Sequence, residues 1–310
     1  MKVALVLGAG GLVGTAHHAG VLAALERELG FTHADAELLI GTSAGSAIGA
    51  YLRTGWTAEG LMGRTRDLTE AAPSPVAGNP VRVARHAVGS AYILARTAVR
   101  VPSLLSVPPS GLLRRAFPAG LVTIGEGLSI LDRELPRRWP AAGLWLTAYD
   151  LVQRRRVVLS SRPAPYLALP EAVRASCAIP GVYTPVHVGD TVLVDGGVWS
   201  LTNLDLALAA GCDVAVCIAP LVYDPEHPPP LASRSIRHLT TRWLSREVAT
   251  ARRGGLRVVV LAPGPESIRV HGLNLMRGHG LERVAEVAYH ETCRWLRRPE
   301  LASGLLAAAA

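Results

Sequence analysis

The stretch LLIGTSAGSAIGAYL, residues 38–52, breaks an apolar run at Gly41-Thr42-Ser43-Ala44-Gly45 and then resumes with helical spacing. A strand ending near Ile40, a serine flanked by two glycines and a helix starting at once form the G-x-S-x-G pattern of a nucleophile elbow. Such a turn holds its serine in a strained backbone conformation. The residues two before and two after it, here Gly41 and Gly45, must be small so that strand and helix can cross closely. The Ser43 hydroxyl then sits at a helix N-terminus, where the dipole favours developing negative charge. The competing reading is a serine helix cap with glycines present only for packing.

Working outward, residues 1–54 read as strand 3–7, helix 14–29, strand 37–41 and helix 44–54, the βαβα start of an α/β fold. Short β-branched runs at 144–150, 156–160, 191–197, 213–220 and 257–263 predict further strands of one sheet. A basic helix over 232–253 and a helix near 280–297 follow. Between 70 and 125 the chain is punctuated by Pro73, Pro75, Pro80, Pro102, Pro108, Pro109 and Pro118 and shows no strand signal, so it reads as a cap or lid insertion. Its amphipathic, basic part, 81–107, fits either a helix buried on the core or one docked on anionic headgroups. The expected organisation is one domain over 1–297, containing this insertion, and a frayed tail over 298–310. With 49% hydrophobic and 18% charged residues, the composition excludes an intrinsically disordered chain.

Two more motifs sit at strand ends. VLGAGGLVG, residues 6–14, places Gly8, Gly10, Gly11 and Gly14 where backbone amides can face an anion. One reading is a dinucleotide-binding turn, which also asks for an acidic residue near the end of the second strand, where this chain has Ile40-Gly41-Thr42-Ser43. The other is an oxyanion hole made by the Gly10 and Gly11 amides for a tetrahedral intermediate at Ser43. In LVDGGVW, residues 193–199, Asp195 ends a strand and is followed by Gly196 and Gly197. Alone, this is as much a turn former as a catalytic acid.

Together these segments resemble the patatin-like phospholipases, lipid acyl hydrolases with a Ser-Asp dyad. LVLGAGGLVGTAHHAGVLAAL is similar to the family's glycine loop and first helix, GTSAG to its G-x-S-x-G, DGG to its aspartate motif, and ASCAIPGVYTPV (175–186) to its A-x-x-A-x-P-G-x-F segment. The likeness covers about the first 215 residues. It implies a three-layer α/β/α fold with a mainly parallel sheet, Ser43 as nucleophile, Asp195 as its base and the Gly10 and Gly11 amides as oxyanion hole. Three departures stand out: Val13 replaces the family's basic residue before the last loop glycine, one residue is inserted around His17-His18, and Ser200-Leu201-Thr202-Asn203 replaces Asn-Asn-x-Pro. They bear on substrate preference and loop geometry.

The chemistry of such a dyad is self-consistent. A serine hydroxyl is a weak nucleophile near neutrality and needs a base, and a partly buried Asp195 serves if burial raises its pKa. The expected substrate is a lipid acyl ester, with no metal and no organic cofactor. His17 and His18 are adjacent on a helix and point about 100° apart, which argues against a two-histidine clamp. His187, His271, His279 and His290 are isolated, and a Ser43-Asp195 triad completed by His271 or His279 is the minor mechanism. Cys177, Cys212, Cys217 and Cys293 show no metal or disulfide spacing and read as free thiols of a cytoplasmic protein. No apolar run is long enough to span a membrane. The net charge of +8, carried almost wholly by arginine, fits a solvated basic surface or peripheral contact with an anionic membrane and supports no nucleic-acid module. Two rival classes remain: an oxidoreductase binding a nucleotide on the Gly8–Gly14 loop, and a non-catalytic lipid-binding protein.

Overall fold

The computed structural model describes residues 1–65, 120, 128–162, 167–224 and 231–297, so most of the 70–125 insertion and the 298–310 tail lie outside the described residues. Strand β1 (Val3–Leu7) leads into α1 (Gly11–Leu29), and β2 (Leu38–Thr42) into α2 (Ala44–Arg53) and α3 (Ala58–Arg64). After the insertion come α4 (Ile130–Glu134), β3 (Gly143–Asp150), β4 (Arg155–Leu159), α5 (Leu169–Cys177), β5 (Val186–Val188) and β6 (Thr191–Asp195). The chain continues through α6 (Asp205–Ala209), β7 (Val214–Ile218), α7 (Leu231–Arg253), β8 (Arg257–Leu261), α8 (Pro265–His271) and α9 (Leu281–Leu296).

These strands form one sheet in the order β5-β6-β3-β2-β1-β7-β8, with β4 also paired to β3. The run β3-β2-β1-β7-β8 is parallel, as expected, whereas β4, β5 and β6 pair antiparallel. The β-branched runs of β4 and β6 carry no mark of direction, and β5 was not anticipated as a strand. The central strands are buried along their whole length, as strands covered on both faces must be. Alternation assigns the faces: Leu5, Leu7 and Leu39 pack with Leu22, Leu25, Ile48 and Ala288 of α1, α2 and α9. Ala4, Val6, Ile40, Ala215 and Cys217 pack with Leu206 and Leu244 of α6 and α7. This is the three-layer α/β/α arrangement.

Some element bounds differ from the sequence reading for physical reasons. Helix α1 begins at Gly11 rather than 14, because the Val13 amide in its first turn is satisfied by the carbonyl of the distant Leu275 at 3.0 Å. The DGG strand stops at Asp195, and Gly196–Val198 form a 3-10 turn. Helices α5 and α8, each with proline at its start, were not anticipated as separate elements.

Candidate active site

Ser43 connects β2 to α2 at φ 53° and ψ −118°, a conformation that only a tightly determined surrounding can hold in a non-glycine residue. Helix α5 supplies that surrounding. The Ser43 amide donates to Ser176 Oγ at 3.0 Å, and the Ser43 carbonyl accepts from Ser46 Oγ at 2.6 Å and from the Cys177 thiol at 3.3 Å. The ASCAIPG segment therefore buttresses the elbow, a role its residue types did not announce. Gly45 is required by contact: a Cβ there would stand 2.0 Å from the Leu7 carbonyl oxygen, where α2 crosses the end of β1.

Strand β3 brings Asp195 to the same place. Its residues Gly143 to Thr147 pair with β2, ending with Thr147 opposite Thr42, and the next residue, Ala148, pairs with Asp195 of β6. Strand β4 occupies the other edge of β3 from Leu146 to Asp150, so β2 and β6 share one edge end to end. The residue before Ser43 and the aspartate thus meet consecutive residues of a single strand. Asp195 is anchored by its amide to the Ala178 carbonyl at 2.9 Å and by Oδ1, which accepts the Gly197 amide at 2.7 Å.

Electrostatics set its protonation. Asp195 is 5% exposed, and burial pushes its carboxyl up from 3.8 to about 6, while the Ser43 hydroxyl and the Gly197 amide pull it down. Oδ2 is buried and has no hydrogen-bond partner among the described residues. Oδ2 therefore keeps its lone pairs open to accept a proton. Beside them, burial first and the Asp195 charge second push the Cys177 thiol up to about 12, so it stays neutral.

A buried polar network ties the two arms together. Asn203, itself at φ 53° and fully buried, donates from Nδ2 to Thr42 Oγ1 at 3.0 Å, Thr147 Oγ1 at 3.2 Å and the Ser200 carbonyl at 2.7 Å. Its Oδ1 accepts from Arg156 at 3.1 Å, and Arg156 also grips Asp205 through two bonds of 2.6 and 2.7 Å. Asn203 stood in the sequence only as a departure from the family motif. Its place in the network comes from the tertiary structure.

The glycine loop closes the site. The Gly8 amide is taken by the Ile218 carbonyl at 3.0 Å and that of Ala9 by Leu201 at 2.8 Å, which fastens the loop to the segment following Asp195. Both amides are thereby lost to a dinucleotide pyrophosphate. Gly11, at φ 62°, has the Leu275 carbonyl oxygen 2.6 Å from where a Cβ would stand. The amides of Gly10 and Gly11 donate no hydrogen bond to a described residue and lie beside Gly14, which packs near Ala44.

His271 and His18 are engaged elsewhere. Both ring nitrogens of His271 have other partners, Arg237 at 3.0 Å and His17 at 3.3 Å, and burial with the Arg237 and Arg277 charges lowers its pKa to about 3. His18 bonds the Gly14 carbonyl at 2.6 Å, and burial lowers it to about 4. Among the described residues no cluster of three His, Cys, Asp or Glu side chains is arranged to hold a metal, and no helix is long and apolar enough to cross a membrane. A cavity of about 860 Å³ lies between α7, β8, α8 and α9 and includes neither Ser43 nor Asp195. The strained serine and the buried carboxylate, not cavity size, define the candidate site.

A serine held at positive φ where β2 ends and a buried aspartate where β6 ends, in a mainly parallel sheet packed between helices, define a three-layer α/β protein. The patatin-like phospholipase family profile matches residues 5–208, and the chain belongs to that family. Uncharacterized NTE family proteins of Mycobacterium tuberculosis and Mycobacterium bovis are 30% identical to it over 247 residues, 80% of this chain and 56% of theirs. The chain thus spans about half the length of the curated relatives it matches. Among solved structures it is similar to VipD from Legionella pneumophila, at 13% identity and a TM-score of 0.42 over 95% of this chain and 66% of that one. It is also similar to the type III effector ExoU of Pseudomonas aeruginosa, at 17% identity and a TM-score of 0.39 over 97% of this chain and 54% of that one.

Proposed function

We propose that this protein hydrolyses acyl ester bonds of lipids, of phospholipase A or lysophospholipase type, through an acyl-Ser43 intermediate. Asp195 takes the Ser43 proton as Oγ attacks the ester carbonyl, and the Gly10 and Gly11 amides stabilise the resulting oxyanion. The alcohol leaves with that proton. Water then attacks the acyl-enzyme with the same carboxylate as base, restoring Ser43. The observation that carries the reading is the open, buried Oδ2 of Asp195 beside a serine held at positive φ. A carboxyl poised near 6 accepts a proton at neutral pH more readily than an ordinary aspartate does. The setting we propose is cytoplasmic, in keeping with four free cysteines, at the surface of an anionic membrane that presents the substrate.

The test is intact-mass labelling by a fluorophosphonate of the wild type, Ser43→Ala and Asp195→Asn. The expected result is one adduct on the wild type, none on Ser43→Ala and a strongly slowed reaction on Asp195→Asn. A folded wild type that takes no label overturns the hydrolase reading in favour of a non-catalytic lipid-binding protein.

A further inference from the structure

Helix α7 carries a surface that the catalytic reading leaves unused. Its inner face is buried through Arg237, Thr240, Leu244 and Ala251. On the opposite face Leu239 and Trp243, one turn apart, are 46% and 49% exposed. At about 100° per residue, Arg242, Arg246 and Arg253 fall with that pair inside an arc of about 100°. All three arginines are exposed, and so are Arg234 and Arg252. The one carboxylate of the helix, Glu247, is turned away to accept from Thr202 Oγ1 at 2.8 Å. Arg242 and Arg246 make no ion pair with a described residue.

A helix meant only for water mixes its charges, because i,i+4 pairs of opposite sign support it and like charges repel. This face holds one sign only, around a leucine and a tryptophan. Two half-exposed side chains are far too little apolar area for a stable dimer, which needs about 800 Å² from each partner. An anionic bilayer fits all of the groups at once: guanidinium groups meet lipid phosphates, indole prefers the interfacial layer, and leucine enters the acyl boundary. We propose that the outer face of α7, formed by Leu239, Arg242, Trp243, Arg246 and Arg253, docks on anionic lipid bilayers.

The inner face of the same turns leads to the glycine loop. Arg237 donates to the carbonyls of Pro220 and Val222 at 3.0 and 2.9 Å, and Thr240 to that of Leu221 at 2.7 Å. Pro220 in turn packs 3.1 Å from where a Gly10 Cβ would stand. The docking face is thus braced against the segment that carries the proposed oxyanion donors. Docking extends the lipid-ester reading by naming the surface that meets substrate, and it is measured without turnover.

The experiment is co-sedimentation of the full chain, as Ser43→Ala, with equimolar phosphatidylglycerol and phosphatidylcholine vesicles and with phosphatidylcholine alone. Binding is expected to the mixed vesicles and not to the neutral ones. Adding Arg242→Ser and Arg246→Ser weakens it by roughly tenfold or more, as loss of two interfacial arginines requires. Leu239→Ser with Trp243→Ser weakens it at every salt concentration. Failure of the parent to bind, or binding unchanged in both double variants, overturns the proposal, and so does a dimer that the Leu239 and Trp243 variant dissociates. Fluorophosphonate labelling of the same double variants with Ser43 restored reports separately: normal labelling shows that they fold, and vesicle binding by a chain that takes no label retains the docking surface while removing the hydrolase.

Discussion

The Ser43 amide donates to the Ser176 hydroxyl across 3.0 Å, joining the elbow to the end of a helix that lies far along the chain. That bond satisfies a buried donor and fixes the backbone of the strained residue. Replacing Ser176 by alanine leaves the amide unpaired at a cost of about 1–3 kcal/mol. The expected outcome is a lower denaturation midpoint together with slower fluorophosphonate labelling of Ser43.

On the proposed mechanism Asp195 gives the reaction its pH dependence. The carboxylate is the active form, and its pKa lies at about 6. The second-order labelling rate is therefore expected to rise through pH 6 and level off above it. A profile flat from pH 5 to 8 would show that a different group, or none, takes the serine proton.

The same shift makes Asp195 a liability to stability. The folded state binds this proton more tightly than the unfolded state, so its ionisation destabilises the fold as pH rises from 3.8 towards 6 and beyond. Asp195→Asn keeps an acceptor for the Gly197 amide and removes the charge. It is expected to be more stable than the wild type at pH 8 by up to about 3 kcal/mol, with the difference vanishing below about pH 4. Urea titrations at the two pH values check this.

Asn203 links Thr42, Thr147 and Arg156 under the site. Asn203→Ala strips several buried bonds at once and is expected to cost about 3 kcal/mol. Because it loosens both arms of the site, labelling should slow even in the folded fraction, which single-turnover measurements at low temperature resolve.

Two glycines give contrasting outcomes on substitution. Gly45→Ala drives a methyl into the Leu7 carbonyl and is expected to prevent folding. Gly30→Ala, at φ 66° with open space around it, should cost only about 1 kcal/mol. Soluble yield and thermal midpoint separate the two.

Much of this was legible in the amino-acid order, because local chemistry dictates it. Short apolar runs ended by turn glycines or flanking helices marked β1, β2 and β7, and the G-x-S-x-G spacing marked the elbow, since only small residues let α2 cross β1. The adjacency of Ser43 and Asp195 was implied by family likeness alone. Its physical cause, Thr147 and Ala148 receiving Thr42 and Asp195 in succession, is a strand register that no local pattern encodes. Strand direction in β4 and β6 was equally silent, because both ladders accept the same β-branched residues. The buttress at Ser176, the Asn203 network and the one-sided arginine face of α7 depend on which groups are left buried or exposed once distant segments pack. Sequence determined the elements and the reactive residue types, and tertiary packing alone decided their protonation, their partners and the face they present.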